Sequence, residues 1–322
     1  MKTIALEEHF VTPKIVEAAA AHDPNDPSGN FKPPFKDQLL DLGAARLADM
    51  DAAGIDVQVL SLPGSGLEAL DPATATALVR GANDLAAAAV RAHPTRFAAF
   101  ASLALQDPES AADELRRCVG DFGFKGAMVH GTTNGLFMDH PRFAPVFEAA
   151  QALDVPIYLH PAPPPKAVQE AYFGGLPEPF GAMLSTAAWG WHAETGLHAL
   201  RLMAAGVFDK FPGVQMILGH MGEDLPFSVA RADYIFARAP KPLTRKPSEL
   251  MASNFHLTVS GYFSLPPFQC ALEIMGMDRS MFAVDFPYSK NAEGRQFLDS
   301  LPLGRDDKEK IAHGNAERLL RL

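Results

Sequence analysis

Eight short apolar, β-rich runs alternate with longer Ala- and Leu-rich segments of helical period, the order expected of βα units wound around a parallel sheet. The runs are Thr3 to Leu6, Val57 to Ser61, Phe97 to Leu103, Gly126 to His130, Val155 to His160, Val214 to Gly219, Phe255 to Ser260 and Met281 to Val284. Most are near-continuous apolar stretches, as befits strands covered by helices on one side and packed inside a barrel on the other. Between them, Asp71 before Pro72 and Asp107 before Pro108 read as helix N-caps with proline at the first helical position. Segments Arg142 to Leu153 and Trp191 to Phe208 carry their apolar residues on one helical face. Eight such units predict an α/β fold, a single (βα)8 TIM-type barrel. The 322 residues suffice for one barrel, and no composition shift divides them, so residues 1–322 are read as one domain.

The ends of these runs carry the chemistry. On a strand, residues i and i+2 face the same way, so Glu7 and His9 of the first run point together while Glu8 points away. His160 ends the fifth run, His220 follows the sixth and Asp285 follows the eighth. Active sites of (βα)8 barrels gather at the C-terminal strand ends, where these residues would meet. Glu7, His9, His160 and Asp285 are therefore candidate ligands of one divalent metal ion. Mixed carboxylate and imidazole donors without thiolate suit Zn²⁺ first and Mn²⁺ second. His220 and Glu223, three residues apart, form a candidate acid/base pair in which the carboxylate fixes the imidazole tautomer.

Other residues are weighed against plainer explanations. His130 ends a run and is a weaker site candidate, whereas His192 and His198 lie in a helical segment where core packing is at least as good an explanation. Phe10, Tyr172, Phe173, Phe180, Trp189, Trp191, Phe286 and Tyr288 fall where barrel loops should converge, so they form either a wall for a flat ligand or ordinary packing. From this group Trp189 and Phe286, together with Arg231 as a carboxylate or phenolate partner, are the candidate substrate contacts. Two Pro/Gly-rich connections, His22 to Lys36 after the first run and Pro161 to Phe180 after the fifth, are candidate lids.

A net charge of -10 and the absence of a basic stripe argue against nucleic acid as a partner. No apolar stretch is long enough to cross a membrane, and the N-terminal run, broken at Glu7, is too short and acidic for a secretory signal. Two cysteines outside any metal or redox spacing fit a reducing compartment, so the expectation is a cytoplasmic protein.

Ile4 to Phe10 (IALEEHF), Trp191 to Phe208 (WHAETGLHALRLMAAGVF), Ile217 to Glu223 (ILGHMGE) and Val284 to Tyr288 (VDFPY), in this order, resemble the amidohydrolase superfamily. More narrowly they resemble its metal-dependent decarboxylases of aminocarboxymuconate semialdehyde, γ-resorcylate and dihydroxybenzoate. The resemblance implies that Glu7, His9, His160 and Asp285 bind the ion and that His220 and Glu223 form a catalytic pair. It further implies that an aromatic substrate chelates the ion through its carboxylate and an ortho hydroxyl, that Asp285 protonates the ring carbon, and that the protein is a homodimer or homotetramer. The chain departs from that pattern at Ser289 and Lys290, where an acidic residue commonly follows the Pro-aromatic pair, and in the small loop Leu62 to Gly66. The expected activity is non-oxidative decarboxylation of a hydroxylated aromatic acid. The alternative is hydrolysis of an ester, lactone or amide by metal-activated water, and a non-catalytic metal-binding scaffold is the third reading.

Overall fold

The computed structural model describes residues 1–22, 31–32, 34–64 and 66–322. Among the described residues nine parallel strands make two sheets. The first pairs β1 (Ile4–His9), β2 (Val57–Ser61) and β3 (Phe97–Ala99) in that order. The second runs β4 (Ala101–Ser102), β5 (Ala127–His130), β6 (Ile157–His160), β7 (Met216–Leu218), β8 (Phe255–Thr258) and β9 (Ser280–Met281). The predicted third run is thus present as β3 and β4, which meet at Phe100. There the Phe100 amide donates to Leu60 O at 2.9 Å and the next amide, Ala101, donates to Gly126 O at 2.8 Å, so one continuous stave bonds both sheets. At the other seam His9 N donates to Phe286 O at 2.7 Å, and Glu8 bridges Phe286 in parallel. These bonds complete the eight-stave order of a (βα)8 barrel.

Ile4, Leu6, Val59, Phe100, Met128, Tyr158, Ile217 and Met281 fill the barrel interior, while Ala5 and Leu60 belong to the larger core between strands and helices. A register shift between Ala5 and Glu8 of β1 changes the phase of that strand. Without it, strict alternation from Ile4 and Leu6 would turn Glu8 inward. With it, Glu7 and His9 face the interior. Glu8 turns out to Gln58 Nε2 at 3.2 Å and to the Val284 amide at 2.8 Å.

Helices Pro72–Ala92 and Pro108–Phe122 begin as expected, with Asp71 accepting from Thr74 N at 3.0 Å and Asp107 from Ser110 N at 3.3 Å. Most of the candidate lid from His22 to Lys36 lies outside the described residues. The second is not an irregular loop: it holds the short exposed helix Lys166–Phe173 and leads into helix Phe180–Ser185. No helix is long and apolar enough to cross a membrane among the described residues. Cys118 and Cys270 are unpaired.

Candidate metal centre

The C-terminal strand ends bring Glu7, His9, His160 and Asp285 together, with one donor atom from each lying within 4.8 Å of the others. His160 Nε2 stands 3.1 Å from Glu7 Oε1, and His9 Nε2 stands 3.2 Å from Asp285 Oδ1. Donor atoms about 2.0–2.2 Å from a common ion lie roughly 3.0–3.5 Å apart, so these spacings suit a shared cation. Glu7 Oε1 and His9 Nε2 are buried without a hydrogen-bond partner, which is costly unless something else meets them. The other nitrogens are held: His160 Nδ1–H donates to Pro161 O at 2.8 Å, and His9 Nδ1 lies 3.1 Å from Ser61 Oγ. The His160 ring is thereby set to turn its Nε2 lone pair inward, and His9 does the same when its Nδ1–H donates to Ser61 Oγ. The residues present fit a divalent ion.

Burial acts against charge throughout the cluster, and the partners decide the outcome. Burial would raise the Glu7 carboxyl, but His220, His160 and His9 around it hold it well below the usual range. Its other oxygen accepts from Tyr158, whose hydroxyl also meets Thr258 Oγ1 at 2.7 Å. Burial lowers His160 less than Glu7 and Asp285 raise it, so it ends above 6.5, whereas burial wins at His9 and depresses it. Glu8, on the outer side of β1, is pushed by burial up to about 8, with the Val284 amide and Arg46 opposing.

His220 and Glu223 adjoin this cluster. His220 Nε2 lies 3.7 Å from both Glu7 Oε1 and Asp285 Oδ2, and its Nδ1 is 2.8 Å from Glu223 Oε1. Glu223 closes the short turn His220–Glu223, ahead of the helix that starts at Leu225. His220, Met221, Glu223 and Asp224 take left-handed backbone, at φ 48°, 58°, 55° and 61°, as does Asp285 at 71°. Such conformations cost non-glycine residues about 1–3 kcal/mol each and are characteristic of functional sites. Here they fold the pair back over the strand ends. Burial would lower His220, yet Glu223, Glu7 and Asp285 raise it well above 6.5.

His192 completes this arrangement and was undervalued by its helical context. Its Nδ1 meets Glu223 Oε2 at 2.7 Å and its Nε2 meets Ala187 O at 2.9 Å, so Glu223 bridges two imidazoles. Against burial, which would raise it, His220 and His192 hold Glu223 below the usual carboxylate range.

The expected substrate contacts occupy three different settings. Arg231 is exposed on helix Leu225–Phe236, its guanidinium carbon 5.6 Å from the Tyr234 ring centroid. Trp189 is 55% exposed, and Phe286 is buried with the Arg46 guanidinium 4.8 Å from its ring centroid. Arg46 thus stacks on the Phe286 ring. Of the other aromatics, Tyr172 and Phe180 are exposed and Phe10 is buried, but Tyr288 does reach the cluster, 5.7 Å from the His9 ring.

Comparison with known proteins shows the family of the chain. Residues 12–322 match the family model described as amidohydrolase. The γ-resorcylate decarboxylase of Polaromonas sp. is 39% identical over 99% of this chain and 98% of its own length. The solved 5-carboxyvanillate decarboxylase of Sphingomonas paucimobilis superposes with a TM-score of 0.91 at 37% identity, covering 100% of this chain and 99% of the other. A dihydroxybenzoic acid decarboxylase of Polaromonas sp., solved with manganese and the inhibitor 2-nitroresorcinol, gives 0.90 at 38% identity over 100% and 97%. The chain belongs to the amidohydrolase family.

Proposed function

We infer that the chain is a metal-dependent, non-oxidative decarboxylase of a hydroxylated aromatic carboxylic acid. The observation that carries this reading is the junction of the four-donor cluster with the His220–Glu223 pair at Asp285. Asp285 Oδ1 faces the ligand His9, and Oδ2 faces His220. Full-length similarity to γ-resorcylate decarboxylases supports it.

Glu7, His9, His160 and Asp285 would hold one divalent ion. When bound, the ion supplies a positive charge that binds and polarises the oxygens of a chelating carboxylate and ortho hydroxyl. Asp285 donates a proton to the ring carbon that bears the carboxylate, forming a C–H bond. The C–C bond to the carboxylate then breaks, its electron pair returns to the ring and restores aromaticity, and CO₂ leaves. Asp285 is left as a carboxylate and recovers a proton from solvent, to which its side chain is 15% exposed. His220 keeps a charged N–H beside Asp285, and Glu223 and His192 fix its orientation.

The purified protein should release CO₂ from at least one ortho-hydroxybenzoate, lose this activity on chelation and regain it with Zn²⁺ or Mn²⁺. Cleavage of esters or lactones with no CO₂ from any such acid would contradict the proposal. The donor set suits both ions, and elemental analysis of the native protein should find about one per chain.

Metal binding should weaken in acid. His160 must be neutral to ligate, and with its folded value above 6.5 it begins to take up a proton above that pH as the solution is acidified. Titration of Zn²⁺ or Mn²⁺ into metal-free protein should show affinity at least ~10-fold weaker at pH 6 than at pH 8. Equal affinities would contradict imidazole ligation at His160.

A further inference from the structure

A second polar cavity lies at the opposite end of the barrel from the four-donor cluster. Three arginines, Arg279, Arg318 and Arg321, line it together with His256, Asp154 and Asp278, and its volume is about 540 Å³. Asp154 precedes β6, Arg279 precedes β9 and His256 lies in the first half of β8, so the cavity opens at the N-terminal strand ends. The whole chain carries a net charge of -10, yet this wall gathers cations. Its volume falls within the roughly 300–1,000 Å³ of small-molecule sites and exceeds what a single water molecule needs.

The wall is short of acceptors. Its two carboxylates are already engaged, Asp154 by Arg321 and Asp278 by Lys310, whose Nζ stands 3.1 Å from Oδ1. Arg279 is fixed through one nitrogen only: Nη1 donates to Phe255 O at 2.9 Å, His256 Nε2 at 3.2 Å and Gln215 Oε1 at 3.3 Å. Arg318 is fixed through Nη2, which donates to Asp278 O and to Asn315 Oδ1. Neither guanidinium pairs with a carboxylate among the described residues, and Nε and Nη2 of Arg279 and Nε and Nη1 of Arg318 meet no acceptor there. His256, 6% exposed, adds a further unmatched donor. A guanidinium can only donate, so His256 Nε2 is the acceptor and the ring hydrogen sits on Nδ1, which is buried without a partner. Burial and the two neighbouring arginines push this ring down to about 3, so it stays neutral, and burial with Arg318 pushes Arg279 down as well. Two uncompensated cations held rigidly side by side repel each other until an anion lies between them.

We propose that this cavity binds a phosphate group, as the free ion or as a small monoester, between Arg279 and Arg318 with the exposed Arg321 as a third contact. The planar fork of a guanidinium matches two oxygens of a phosphate, and such charge-assisted bonds are the stronger kind. The site is separate from the metal centre and stands independently of the decarboxylase reading.

The test is calorimetric titration of the full-length, metal-loaded protein with inorganic phosphate and with glycerol 3-phosphate at constant ionic strength. At least one of them should bind once per chain with Kd below ~1 mM. Arg318→Gln and Arg321→Gln, each checked for an unchanged melting temperature without ligand, should weaken binding by ~10-fold or more, and Arg318→Lys should restore part of the loss at Arg318. Binding should survive in His160→Asn, because the metal centre takes no part in it. Tighter binding of glycerol 3-phosphate assigns a monoester as the ligand, and tighter binding of inorganic phosphate assigns the free ion. No binding of either below ~10 mM, affinity unchanged by both glutamine substitutions, or binding lost in His160→Asn would overturn the site.

Discussion

Asp285→Asn is expected to lower kcat by ~10³-fold or more, while metal content stays near that of the wild type. Asparagine keeps the size of the side chain and an oxygen that can face His9, but it has no proton to give to a ring carbon. The substitution therefore separates the two positions that Asp285 holds between His9 at 3.2 Å and His220 at 3.7 Å. His160→Asn should behave differently, because it removes the imidazole beside Glu7 and with it the ion. Metal analysis and kcat measured on both variants check the distinction. If Asp285→Asn retained more than about a tenth of wild-type kcat with its metal in place, proton donation would have to be assigned elsewhere.

Arg46→Met should cost about 3 kcal/mol of stability in the metal-free protein. Arg46 is 2% exposed, its guanidinium donates to His9 O and stacks on Phe286, and it is a positive charge acting on buried Glu8. Methionine replaces the apolar part of the side chain but leaves the His9 carbonyl and Glu8 without their cation. Protonation of Glu8, already raised to about 8, limits the loss. Burial lowers Arg46 only to about 10, so the guanidinium is charged at neutral pH. Urea unfolding at pH 7 measures the difference, and a change below about 0.5 kcal/mol would show that the contact is not structural. Since His9 follows Glu8 directly and its carbonyl is the one held, the same variant should also bind metal more weakly.

Much of the fold and of the four-donor cluster was legible in the sequence because both depend on local rules. Period-2 geometry puts Glu7 and His9 on one face, and the barrel gathers strand ends at one rim. What those rules omit is the phase of β1, since only the register shift between Ala5 and Glu8 turns the Glu7–His9 face inward. Helical context likewise hid His192, because its partner Glu223 is displaced by the left-handed turn that begins at His220. Phe286, read from its place among the loop aromatics, packs against Arg46, a neighbour distant in sequence. The third run divided at Phe100 because its backbone bonds switch from β2 to β5, which composition does not encode.

Decarboxylation by ring protonation is tested most directly by running the reaction of an ortho-hydroxybenzoate in D₂O and reading the phenolic product by NMR. The expected result is one deuterium at the carbon that carried the carboxylate, formed by wild type and lost in Asp285→Asn. CO₂ release without deuterium at that carbon, or full incorporation by the asparagine variant, would contradict it.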